Sequence, residues 1–322
     1  MSLLVATEND YRDAHINIKN HGERYKHEYS KIKHEKLANG QFKYGWDFEI
    51  VDGFFKQSEM ETNDLKFNYA DEDLGLITDW NQTIHKIRQL NIGSDSDTSY
   101  KLIFFARHGQ GLHNFAVAKY GDEEWERKWH LLGSDGEITW GPDPKLTDLG
   151  INQARENNRI LKQQISRGMP IPSLFYCSPL LRSCQTLQES WKDIEIPRPV
   201  ITELIRETCG RSLCHKRSSR HSIVERYPNW LIDENVTLED QLFDLHNGET
   251  LYEQCFRIND FLQQLFNQDQ SKHDKINNWF ISTTSHAGTI SCVIAVTGHR
   301  PFTIPTGGMI PMVIKGQKRK CP

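Results

Sequence analysis

A chain of 322 residues with 37% hydrophobic and 25% charged residues is long enough for one large domain or two small ones. Its net charge of -4 at pH 7 supplies no bulk attraction to nucleic acid or to an acidic membrane, so any anion must be held by local clusters. No run approaches 18 apolar residues, so no membrane span is expected. The first ten residues have neither the basic start nor the apolar length of a signal peptide.

Residues 1–45 are polar, with His15, His21, His27 and His34 scattered among Lys and Glu. Lys31 and Ala38 stand where an H-E-x-x-H pair would need its second His, so no metal site is read there. A solvated helix or a loose arm is expected, leading into a domain over 46–322; an arm packing across that domain fits the sequence as well as a disordered tail. The aromatics between Trp46 and Phe55 are expected to pack onto that domain, and the Ser- and Asp-rich stretch 94–99 reads as a loop.

Three apolar runs then share one design. The run 101–106 leads into Arg107-His108-Gly109, 172–177 leads into Ser178-Pro179-Leu180-Leu181-Arg182, and 279–284 leads into Ser285-His286-Ala287-Gly288. Each reads as a strand of ordinary length followed by a polar turn and a helical pattern. Strands alternating with helices predict an α/β fold with a mostly parallel central sheet flanked by helices. Ligands in such sheets bind beyond the carboxyl ends of the strands. The three turns should therefore face one pocket. Thr147 reads as the N-cap of a helix carrying Gln153 and Ala154, Gly298 as the end of the helix after His286, and 309–314 as a last strand. Two stretches, near 115–144 and 203–250, interrupt this pattern and are expected to lie over the site as insertions. The first holds Trp125, Trp129 and Trp140, which either wall a pocket or pack among themselves.

The chemistry follows from residue type. A guanidinium beside an imidazole suits phosphoryl transfer: Arg107 holds the anion and His108 supplies a nitrogen nucleophile. Gly109 permits close backbone approach to an anion, Asn114 can donate to a phosphate oxygen, and Arg182 adds a planar fork. Two alternatives fail on spacing. Counting from Gly109, Asn114 occupies the third glycine position of a dinucleotide loop. Four residues separate Cys177 from Arg182, where a cysteine-phosphatase loop needs five, so Cys177 reads as a packing residue. The cysteines are Cys177, Cys184, Cys209, Cys214, Cys255, Cys292 and Cys321, an odd set without C-x-x-C. They read as reduced thiols of a cytoplasmic, or also nuclear, protein. The terminal Lys318-Arg319-Lys320 cluster is expected to be a solvated tail, with a nuclear-targeting reading beside it.

These motifs, Arg107-His108-Gly109 with Asn114, Ser178-Pro179-Leu180 with Arg182 and Thr186, and Ser285-His286 with Gly288, resemble the histidine phosphatase superfamily, the phosphoglycerate mutase-like group. Leu146-Thr147, Gly150 and Gln153-Ala154 match a further family motif. The resemblance is nearest to a fungal phosphomutase-like branch, through 106–114, the Trp-rich insert, and the segment from Leu204 to Gly210 with Cys214 to Arg217. It implies His108 as nucleophile, His286 as phosphate ligand and electrostatic partner, and Glu207 as the acid for the leaving oxygen, with Glu203 as fallback. It implies phosphate binding by Arg107, Asn114, Arg182 and His286. No cofactor and no metal are called for, and the partner is a small phosphorylated substrate. Gly109, Gln110, Arg211 and Arg217 are possible substrate contacts, though Arg211, Lys216, Arg217 and Arg220 equally suit a solvated basic face. Glu207 has a plainer alternative, pairing with Arg206 or Arg211. His215 stands where the branch usually has Asp, and Gln110-Gly111 stand where true mutases carry Glu-Ser. The expected activity is a metal-independent phosphomonoester hydrolase working through phosphohistidine. A phosphomutase and a non-catalytic phospholigand-binding regulator are the alternatives.

Overall fold

The computed structural model describes residues 2–269 and 271–320. Seven strands form one sheet: β1 Trp46–Ile50, β2 Thr98–Arg107, β3 Leu174–Cys177, β4 Val200–Ile201, β5 Leu231–Ile232, β6 Phe280–Ser285 and β7 Met309–Lys318. Their order is β1-β7-β2-β6-β3-β4-β5. The pairs β2/β6, β6/β3, β3/β4 and β4/β5 are parallel, whereas β7 runs antiparallel to both β1 and β2. The sheet is therefore mostly parallel, with an antiparallel edge.

Strand β2 is apolar on both faces because helices cover both. Leu102, Phe104 and Ala106 pack toward the helices Trp80–Gly93, Asp148–Ser166 and Leu181–Ser190 through Ile87, Leu161 and Leu187. Ile103 and Phe105 pack toward the helices Leu251–Asn267 and Ala287–Thr297 through Ile258, Leu262 and Ile290. Burying each such side chain contributes roughly 1.5–3 kcal/mol. Helix ends follow the sequence signals. Thr147 Oγ1 accepts from Gly150 N, and Gly298 terminates its helix in the left-handed region at φ 74°.

Of the alternatives open for the N-terminal segment, the structure shows a helical one that packs on the domain. Glu8–Arg12, Asp13–Asn17 and Ile18–Ile32 are helical, and Tyr25 is buried against Phe256 and bonded to Asn259. Polar composition concealed a single apolar stripe. The basic C-terminal cluster is also not a solvated tail through its described part. Lys318 pairs with Trp46 in the sheet, and Arg319 is bound by Asp47. Lys320 is exposed, and Cys321 lies outside the described residues.

The first insertion packs its three Trp residues with Tyr120 into a small core of their own; Trp140 is fully buried. The second contributes strand β5 and a buried ion network. Arg206 pairs with Glu203 and Asp240, and Arg217 pairs with Glu203.

Candidate active site

Register brings the motif ends together. Arg107 of β2 lies opposite Ser285 of β6, and Thr284 of β6 lies opposite Cys177 of β3. The next residues leave the sheet at one level: His108 N donates to Ser285 O, and Ser178 N donates to Thr284 O. The parallel pairing thus sets His108, Ser178 and His286 side by side, and the helix Leu181–Ser190 returns Arg182 beneath them.

His108 is buried, and two partners fix its tautomer. Its Nδ1–H donates to the Gly109 carbonyl at 2.7 Å, since a carbonyl only accepts. Its Nε2 accepts from Arg182 Nε at 3.2 Å, since a guanidinium only donates. Burial, then the charges of Arg182 and Arg107, push its pKa well below the ordinary imidazole value. The ring is thus neutral at pH 7, and its one Nε2 lone pair accepts the Arg182 Nε–H in this state.

Arg182 is fully buried. Beyond His108 it donates from Nη1 to Cys214 O at 3.0 Å, and its Nη2 has no hydrogen-bond partner among the described residues. Arg107 donates from Nη1 to Asp10 Oδ1 and to Ile304 O, while its buried Nε is unpaired. His286 lies with its ring centroid 5.0 Å from that of His108. Its Nε2 meets Ser178 Oγ at 2.7 Å, and its Nδ1, 3.8 Å from Glu207 Oε2, has no hydrogen-bond partner among the described residues. Burial and the Arg182 charge also depress His286 strongly.

Glu207 enters from the second insertion, held above by the Arg206 network. A Cβ at position 288 would sit 2.7 Å from Glu207 Oε1, so Gly288 is what lets the carboxylate approach the helix Ala287–Thr297. Glu207 pairs with neither Arg206, which is committed to Glu203 and Asp240, nor Arg211. Its Oε1 accepts from Thr208 N at 3.0 Å.

A cleft of about 690 Å³ opens over these groups, lined by Arg107, His108, Asn114, Glu207 and Arg211 among others. Asn114 Oδ1 accepts from Gly111 N, fixing its side chain at the start of the helix Leu112–Tyr120. One expected contact is corrected, and two others have protein partners of their own. Arg217 is buried away from the cleft, its guanidinium saturated by Glu203, Ser218 O, Thr237 and Glu239 O. Gln110 turns its side chain to Thr147 Oγ1. Gly109 allows a close approach, but to protein: a Cβ there would lie 2.4 Å from the Gly150 carbonyl. The fallback Glu203 is buried between two arginines. The basic cluster also disperses. Arg220 donates to Val236 O and Lys216 covers Phe243, leaving Arg211 as its member at the cleft.

Sequence reasoning gave no role to two histidines beside His108. His113, in the quoted 106–114 motif, has its ring centroid 5.4 Å from that of His108 and its Nδ1 buried and unpaired. A Cβ on Gly111 would meet that Nδ1 at 2.7 Å. His215 also lines the cleft; burial, partly opposed by Glu207, pushes it down to about 4. It therefore puts a neutral ring where the branch usually has a carboxylate. The missed carboxylate of Asp10 carried no sequence signal linking it to Arg107, 97 residues away.

The chain belongs to the histidine phosphatase superfamily (branch 1), whose model matches residues 103–306. Among curated proteins it is 35% identical to a "Probable phosphoglycerate mutase" of Arthroderma benhamiae, over 83% of this chain and 84% of that one. It is 32% identical to the "Probable phosphoglycerate mutase PMU1" of Saccharomyces cerevisiae, over 73% and 84% of the two chains. It is also 32% identical to the "Phosphomutase-like protein 3" of Candida albicans, over 70% and 68%.

Proposed function

We propose that the protein is a metal-independent phosphomonoester hydrolase that works through a phosphohistidine on His108 Nε2. The observation carrying this reading is a neutral imidazole beside buried guanidinium donors, Arg182 Nη2 and Arg107 Nε, that have no partner among the described residues. Unpaired buried donors are costly, and a phosphoryl dianion is the kind of group that satisfies them. In the first step His108 Nε2 forms the N–P bond while the ester P–O bond breaks, and Glu207 gives its proton to the leaving oxygen. In the second, water attacks phosphorus, Glu207 takes the water proton, the N–P bond breaks and inorganic phosphate leaves. Arg107, Arg182 and His286 stabilise the equatorial oxygens throughout, since positioning and electrostatics dominate phosphoryl transfer.

The mutase names of the fungal relatives favour a second reading, in which the phosphoryl group returns to another oxygen of the product instead of passing to water. Phosphate release from p-nitrophenyl phosphate in EDTA, measured for the wild type beside His108→Ala, tests the first. Release that survives EDTA and disappears in the variant supports it. Isomerised product that depends on a bisphosphate primer, without phosphate release, replaces it with the second.

A further inference from the structure

The helical turn that precedes residue 17 lies far outside the matched stretch 103–306, yet it reaches the catalytic arginine. Thr7 caps this turn in a reciprocal box with Asp10. The Asp10 side chain is buried, and both of its oxygens are engaged. Oδ1 accepts from Arg107 Nη1 at 2.5 Å, and Oδ2 accepts from Thr7 N and Oγ1 at 2.9 and 2.7 Å. Burial raises its pKa, but the Arg107 charge and these hydrogen bonds outweigh burial and hold it ionised, below the ordinary carboxylate value. Nη1 of Arg107 is thus clamped between Asp10 and the Ile304 carbonyl, and its unpaired Nε stays on the guanidinium edge not used by the clamp.

Asp13 follows one turn later and lines the same cleft, close enough to Arg107 for that charge to act on it. Glu126 and Glu249 line the cleft as well, with Arg211 as the added cation on the walls. Glu249 is paired with Arg257. Once a phosphoryl dianion engages Arg107 and Arg182, little positive charge is left in the walls for a second anion.

We propose that the Asp10–Asp13 turn is part of the catalytic pocket: Asp10 positions Arg107, and Asp13 beside it makes the site select phosphomonoesters whose leaving group carries no second anion. This rests on the phosphomonoesterase reading and names its substrate class. At an effective dielectric constant of about 20, a like charge about 6 Å away changes an affinity by an order of magnitude or more before salt screening.

Glycerol 3-phosphate and 3-phosphoglycerate form a matched pair that differs by one carboxylate. At pH 8 in EDTA, wild-type kcat/KM should favour glycerol 3-phosphate by about tenfold or more. Asp13→Asn should narrow that ratio by roughly fivefold, mainly through a lower KM for the anionic ester. Asp10→Asn should raise KM for both esters and weaken inorganic phosphate binding by about tenfold, with Asp10→Glu recovering part of the loss. Asp13 is exposed, so its variant folds even where the Asp10 variants do not. Calorimetric Kd values for the two esters on His108→Ala, with and without Asp13→Asn, give the same ratio without turnover. Hydrolysis with equal ratios in wild type and Asp13→Asn, or a wild-type preference for 3-phosphoglycerate, overturns the inference. Absent hydrolysis with the expected Kd ratios removes the hydrolase reading and leaves the charge selection standing.

Discussion

At its N-terminal end, strand β2 buries Lys101 against Asp269; at its C-terminal end, it delivers Arg107 and His108 to a buried Arg182. The first cation is fully matched. Lys101 Nζ donates to Asp269 Oδ1 at 2.8 Å and to Asn278 O at 3.0 Å, and Asp269 Oδ2 accepts from Ser99 Oγ. Arg182 instead spends its bonds on a neutral imidazole and a backbone carbonyl, and its Nη2 has none. Arg107 Nε, His113 Nδ1, Ser285 Oγ and His286 Nδ1 are likewise buried and unpaired, all at this end. One strand therefore ends in a completed ion pair on one side and in uncompensated donors on the other. The completed pair stabilises the fold. The uncompensated set costs stability and is kept where an anion must bind, a pattern expected of functional sites.

His108→Ala is the largest test of the catalytic end. It should lower kcat for phosphate release by about 10⁴-fold or more, with the melting temperature nearly unchanged. Retained turnover would move the nucleophile elsewhere. Lys101→Met tests the opposite end. It leaves the Asp269 carboxylate buried without its cation, which should cost about 3–5 kcal/mol of stability. Thermal unfolding should fall by several degrees while kcat/KM stays within about twofold. Arg182→Met should invert that pattern. Activity should drop about 10²–10³-fold, and the stability loss should stay within about 1–2 kcal/mol, because removal of an unpaired buried charge offsets the lost bonds to His108 and the Cys214 carbonyl. An Arg182→Met protein that melts as low as Lys101→Met would show that the two cations play the same structural part.

The sequence made the catalytic end legible because its signals are local. The strands before Arg107-His108, Ser178 and Ser285-His286 are continuous apolar runs, and parallel pairing then forces their ends together. The strands β4 and β5 were missed because each is two residues long, too short to show a period. Composition leaves the packing of the N-terminal segment open, because its buried residues, Leu4, Asp10, Ala14 and Tyr25 among them, are spread through a polar background. From sequence Arg217 reads equally as a substrate contact or as part of a solvated face, because a cation near a motif looks available. Its partner Glu203 is 14 residues upstream, and only the folded insertion brings the two together. Side-chain pairing across loops has no periodicity to read, so the walls of the site were less legible than its floor.

Acid should act on the same contrast, at the catalytic end first. His215 is pushed down to about 4, and His108, His113 and His286 are also held well below their ordinary values, by burial first and by Arg182 next for all but His215, where Glu207 partly opposes. For a histidine depressed in the folded state, the unfolded chain binds more protons between the two pKa values. Stability is then complete above about pH 6.5 and falls as pH drops through the window toward 4. The depressed carboxylates Asp10 and Asp240 lose their contributions only below their unfolded value of 3.8, so they fall outside this window. Urea midpoints at pH 7.5 and 4.5 should separate the effects. His215→Asn should reduce the wild-type loss between these pH values by at most about 3 kcal/mol, the ceiling set by its own shift. Amide exchange at pH 4.5 should then show residues 107–114 and 207–215 opening before Lys101 and its neighbours. An unchanged pH dependence in His215→Asn would mean that this ring takes up its proton without strain, and that its burial does not hold it neutral.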